Sequence, residues 1–180
     1  SWYVSTDSKN TKINISHIDE GSLGIGEREH YLENEFQKLR KQYVEMINNI
    51  ATEFKNINGI IPGIIPGIIP SNVNIGKCVL EIETELAKKM YTAVERQDTL
   101  RSYNAYQYIP HSEKSKLSNL KNINTILPQK DWEEFWSIIH NTKNSQKDNK
   151  KVIVTHPLYI KYLNTLSKQF SKNKLECYWW

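Results

Sequence analysis

Cysteine is nearly absent from this sequence and arginine is scarce. Only Cys78 and Cys177 occur, and four arginines stand against 20 lysines. Two cysteines so far apart exclude a disulfide-dense scaffold and any Cys-x-x-Cys metal or redox motif. Two readings stay open for them: a bridge closing a loop of about a hundred residues, worth roughly 3–5 kcal/mol, or two free thiols. Scarce arginine counts against nucleic-acid recognition, since bases and phosphates are usually gripped by guanidinium forks. Long apolar runs are missing as well. The longest uncharged stretch, residues 56–76, is broken by three prolines, so no membrane-spanning helix is expected.

Catalytic signatures are equally hard to find. Gly-x-Ser-x-Gly, His-Glu-x-x-His and calcium-loop patterns do not occur. Glu27-x-x-His30 has the spacing of a di-iron helical pair, but a second pair is lacking. Acidic charge in a helix's first turn explains it better. Gly21-x-x-Gly24-x-Gly26 leads into a helix without a preceding strand or a Walker-type lysine, and reads as a flexible hinge. Ser118-x-x-Lys121 lacks the companion motifs of a serine nucleophile. No catalytic residue, cofactor or metal ligand is assigned, and the reading leans away from an enzyme. An enzyme would need a site assembled only in three dimensions.

What is present begins with charge. The net charge is +4. Residues 1–111 hold 12 Lys/Arg and 14 Asp/Glu, whereas residues 112–180 hold 12 lysines and 6 acids. A nucleic-acid-binding module using this lysine-rich C-terminal half is therefore the alternative from another class. With 38% hydrophobic and 24% charged residues, the chain is able to fold as one domain.

Apolar periodicity points to helices. Leu32, Phe36, Leu39, Tyr43, Met46, Ile50, Phe54 and Ile57 recur at steps of three or four, and Gly59 ends the stripe. A second stripe runs from Ile75 through Val79, Ile82, Leu86, Met90 and Ala93 to Leu100, stopping near Ile109 before Pro110. Ser71 or Asn72 would cap it. Two such rods predict a long antiparallel hairpin. Asp131-Trp132-Glu133-Glu134 is a capping box opening a helix that buries Trp132, Phe135 and Trp136. Stacking of bases on those rings is the competing use. A last helix starts at Pro157 behind Thr155 or His156. Val152-Ile153-Val154 is the one strand-like run, too short and isolated to build a sheet.

The expected fold is all-α: an elongated bundle of about four main helices. Residues 1–25 form an extended arm and 26–174 a single bundle domain, with a 59–71 connector and a mobile 141–151 loop. Residues 175–180 form an aromatic tail. Asn14-Ile15-Ser16 fits the N-glycosylation triplet.

GIIPGIIPGIIP, residues 59–70, carries the remaining signal. Pro-Gly pairs favour type II turns, and six buried isoleucines would be worth on the order of 9–18 kcal/mol. Such a ribbon caps the bundle, docks a partner or membrane interface, or is a tolerated insertion. The resulting expectation is a non-enzymatic interaction protein acting on a protein partner or a lipid membrane surface. Composition, the cysteine pair and the missing start methionine extend this to a secreted parasite protein that engages host cells. Its contact residues would be Ile60, Ile61, Ile64, Ile65, Ile68, Ile69, Trp179, Trp180, Lys143, Lys147, Lys150 and Lys151.

Overall fold

The computed structural model describes residues 1–60, 74–107, 121–126 and 151–179. The chain divides into two compact units: Ser1–Gly21 with Ala93–Asn164, and Ser22–Thr92 with Thr165–Trp180.

The first unit is built on a five-stranded mixed sheet, and this corrects the all-α expectation. Strands β1 (Trp2–Asp7) and β2 (Asn10–Ile18) form an antiparallel hairpin where a loose arm was expected. Strands β3 (Asn104–Gln107), β4 (Lys121–Asn122) and β5 (Lys151–Val154) complete the order β1-β2-β5-β3-β4. The run dismissed as too isolated is thus the central strand. β5 pairs parallel to β2 and antiparallel to β3. Val152, Ile153 and Val154 are at most 1% exposed, as a strand covered on both faces requires. Ile15, Ile18, Tyr106 and Ile123 add to this core.

Short helices α4 (Ala93–Gln97) and α5 (Thr99–Ser102) occupy what was read as the far half of one long helix. Asp98 interrupts it, its side chain accepting the Leu100 and Arg101 amides at 3.0 and 3.1 Å. Helix α6 (Pro157–Gln169) starts at Pro157, as the sequence predicts. It buries Tyr159 and Ile160, and Asn164 Nδ2 donates to Ile126 O at 2.6 Å.

The second unit is helical. Helix α1 (Arg28–Leu32) is followed by a 3-10 turn, Asn34–Phe36, and then α2 (Gln37–Ile60). Helix α3 (Ile75–Ala87) packs on α1, α2 and α7 (Lys172–Trp179). It is 13 residues long, so the extended hairpin is not formed. Its cap is Asn74, which accepts the Lys77 amide; Ser71 and Asn72 lie outside the described residues. Tyr43, Ala51, Ile75 and Val79 form one buried cluster, with Cys78 and Tyr178 packed against it. Cys78 is a free thiol. A Cβ on Gly76 would lie 2.4 Å from Val44 O, so α3 approaches α2 to a distance only glycine permits. Trp132, Phe135 and Trp136 lie outside the described residues, as do the Pro-Gly turns and most of the 141–151 loop.

Candidate functional site

Helix α3 brings a carboxylate into the second unit's interior. Val79, Ile82, Glu83 and Leu86 share its buried face, and Glu83 is 5% exposed. A buried charge must be hydrogen-bonded, or the loss of hydration is prohibitive. Here the donors come from far away in sequence. Tyr31 Oη donates to Glu83 Oε2 at 2.8 Å, and the Gly24 amide to Oε1 at 3.1 Å. The Tyr43 hydroxyl lies near enough to feel the Glu83 charge. The Tyr31 oxygen in turn accepts the Ile25 amide at 2.9 Å.

Burial pushes the Tyr31 and Tyr43 hydroxyls well above the ordinary phenol range, and the negative charge of Glu83 adds to it. For Tyr31 the Ile25 amide works in the opposite direction without prevailing. Burial and then Glu83 raise Tyr178 likewise. All three phenols stay protonated at neutral pH, and Tyr31 serves Glu83 as a donor.

Two glycines of the run, Gly24 and Gly26, have local structural reasons beside this cluster, whereas Gly21 meets nothing within 4 Å. A Cβ on Gly24 would lie 1.9 Å from Tyr43 Oη, while Gly26 turns the chain at φ +90°. Alongside lies a groove of about 560 Å³ lined by Tyr31, Arg40, Leu80, Glu81, Thr84, Glu85, Gln169, Phe170 and Lys174. Lys174 pairs with Glu81, and Arg40 donates to the His30 and Glu33 carbonyls at 2.7 and 2.8 Å. Its charges are thus partly engaged with the fold.

The first unit has its own polar centre. Asp7, 1% exposed, sits at a register shift where β1 turns into β2. It accepts the Lys9 amide, Tyr103 Oη and Lys151 Nζ, each at 2.9 Å. Lys151 also donates to Tyr103 Oη at 2.6 Å, and the Lys9 ammonium lies 4.1 Å from the Tyr103 ring centre. Burial would raise the Asp7 carboxyl, but these donors outweigh it and hold it at about 2. A second pair joins His156 to Glu20, and Thr155 donates to Asp19.

Of the expected contact residues, only Lys151 has a described side chain, and it is bound to Asp7 and Tyr103. Ile60 ends α2 and Trp179 ends α7, but their side chains lie outside the described set. Ile61, Ile64, Ile65, Ile68, Ile69, Trp180, Lys143, Lys147 and Lys150 lie outside it entirely. His30 is taken up locally, its Nδ1 2.6 Å from Ile25 O and its ring edge-on to Phe36. No three His, Cys, Asp or Glu side chains among the described residues are grouped to hold a metal. Sequence reasoning missed Glu83, Tyr31, Tyr43, Asp7 and Tyr103. One signal was available: Glu83 lies four residues after Val79, on the apolar stripe itself.

Comparison with known proteins gives this architecture a context. Residues 1–180 match the family described as Peptidase family M13. An endothelin-converting enzyme homolog of Locusta migratoria is 28% identical over 176 residues, 94% of this chain and 20% of that protein. Neprilysin of Oryctolagus cuniculus is 25% identical over 182 residues, 99% of this chain and 23% of that protein. The zinc metalloprotease Zmp1 of Mycobacterium tuberculosis in its open state superposes with a TM-score of 0.68 at 18% identity. That superposition covers 99% of this chain and 24% of that one, and it speaks to fold alone. The chain spans about a fifth to a quarter of the length of these relatives.

These matches overturn the reading as a non-enzymatic interaction protein of a host-engaging parasite, and the nucleic-acid alternative with it. The helical stripes that suggested a docking bundle belong to a fold shared with peptidases. The chain belongs to peptidase family M13, of which it covers only the N-terminal part.

Proposed function

We propose that this chain is a structural portion of a zinc-dependent endopeptidase, and that it supplies shape and rigidity to an enzyme whose metal is held by other residues. The observation that carries this is the family match running the whole length of residues 1–180.

The groups present here do not fit a zinc site. Zinc takes three or four His, Cys or carboxylate ligands within about 2.0–2.3 Å of one point, and no such grouping occurs among the described residues. His30 is held to Ile25 O and His156 to Glu20, while His17 stacks on Tyr3 with ring centres 5.1 Å apart. Glu83 is committed to donors of its own unit. No catalytic step is therefore derived from this chain.

Its contribution is positional. A peptidase holds reacting groups to within fractions of an ångström, and buried, fully satisfied polar clusters make a fold single-valued. Glu83 with its tyrosines does this in the helical unit, as Asp7 with Lys151 and Tyr103 does in the sheet unit.

The test is peptide hydrolysis by the full-length protein that contains these residues. Cleavage of short peptides, abolished by a zinc chelator and restored by added zinc, is the expected result. Chelator-insensitive cleavage, or none from zinc-loaded folded protein, would overturn the proposal.

A further inference from the structure

We propose that Asn14 is an N-glycan acceptor, modified on the outer face of the β1–β2 hairpin. Asn14-Ile15-Ser16 is the only Asn-x-Ser/Thr triplet in the 180 residues. The strand presents it suitably. Ile15 is 2% exposed, and successive strand residues face opposite sides. Asn14 therefore lies on the face opposite Ile15, where it is exposed although Ile18 farther along that face is buried.

The hairpin register adds a second observation. Thr6 lies opposite Asn14, Val4 opposite Ser16 and Trp2 opposite Ile18, which sets Trp2, Val4 and Thr6 on the face that carries Asn14. Thr6 Oγ1 donates to Asn14 Oδ1 at 3.4 Å. Val4 is 56% and Trp2 40% exposed, an apolar strip on a sheet that is otherwise polar at its edge. Val4 is the diagonal neighbour of Asn14, roughly 7–8 Å away, within reach of the first sugar's C–H face. β5 pairs with β2 only from Ser16 to Ile18, so no described strand flanks β2 beside Asn14. A glycan on the exposed Asn14 would lie over Val4.

The co-reactant is an oligosaccharide carried on a polyprenyl pyrophosphate. Asn14 Nδ2 attacks the anomeric carbon, a C–N bond forms, and the C–O bond to the pyrophosphate breaks. The lipid pyrophosphate leaves, one amide proton passes to base, and nothing is oxidised or reduced. The Ser16 hydroxyl is the group the transferase reads two residues on.

The experiment is peptide mapping of the full-length protein secreted from eukaryotic cells. Amidase deglycosylation in heavy-oxygen water should leave labelled aspartate at position 14, in the tryptic peptide that follows Lys12. N14Q and S16A should abolish the label while S16T retains it. Removing the glycan should also raise apolar-dye binding in the wild type and not in V4S. Unmodified Asn14 in the secreted protein, or a label that survives S16A, would overturn the proposal. Neither outcome depends on peptidase activity.

Discussion

Tyr31 and Glu83 lie 52 residues apart in sequence, and their side-chain oxygens are 2.8 Å apart in the interior of the helical unit. The phenol donates and the carboxylate accepts. Because the Gly24 amide donates to the same carboxylate, two separate segments are tied to one point on α3. Glu83→Gln replaces an acceptor with an amide whose NH2 faces donors. Hydrogen bonds to a charged group are worth about 1.5–3 kcal/mol, so the variant should lose roughly 2–3 kcal/mol in urea unfolding. Tyr31→Phe should lose about 1–2 kcal/mol, since the Ile25 amide also loses its acceptor.

The two close-packed glycines make a separate prediction. Gly76→Ala places a methyl 2.4 Å from the Val44 carbonyl oxygen, and backbone there cannot swing aside. Overpacking of this kind costs about 1–3 kcal/mol. Gly24→Ala collides with Tyr43 Oη instead and should weaken the Gly24 amide's bond to Glu83. Thermal unfolding of G24A alone and combined with Y43F will show it: the alanine should cost much less once the hydroxyl is gone.

Asp7 governs acid stability. Its folded value of about 2 lies below the ordinary value near 3.9. A depressed carboxyl contributes stability that is full above about pH 5 and lost as pH falls through about 4 toward 2, amounting to about 2 kcal/mol. Asp7→Asn should flatten unfolding free energy over that window. Lys151→Met leaves Asp7 buried without its cation and should cost about 3 kcal/mol at neutral pH, moving the acid transition upward.

His17 runs the other way. Burial lowers its value from 6.5, against the pull of Asp7 and Asp19, and its Nε2 has no hydrogen-bond partner. Protonation below about pH 6.5 therefore favours the unfolded chain. His17→Phe keeps the stack on Tyr3 and removes the orphaned nitrogen. It should be stabilising by about 1 kcal/mol and should remove this residue's contribution to the pH dependence below about 6.5, both readable by denaturant titration.

The helices were the legible part of the fold. Tyr43 and Val79 pack as their spacing implied, but Met46, Ile50 and Phe54 of the first stripe are exposed and Ala51 is buried instead. Pro157 opens a helix where its fixed φ suits one. The sheet was not legible, because its strands are short and polar. β1 and β2 are written in Ser, Thr, Asn and Lys around Ile13, Ile15 and Ile18, and β4 is two residues long. Nothing local told Val152–Val154 which strands would flank it, since pairing with residues 16–18 spans most of the chain. The α3 stripe was over-extended because Met90, Ala93 and Leu100 continue the period after the helix has stopped at Ala87. The Glu83 cluster needed Gly24, Tyr31 and Tyr43 together, a convergence that periodicity cannot reveal.

We propose that these 180 residues shape a peptidase without performing its chemistry. The direct measurement is kcat per bound zinc in the full-length Glu83→Gln protein. An unchanged kcat per zinc, with less folded protein recovered, is the predicted result. A variant that keeps its zinc and its fold but loses kcat would place Glu83 in the reaction and contradict the account.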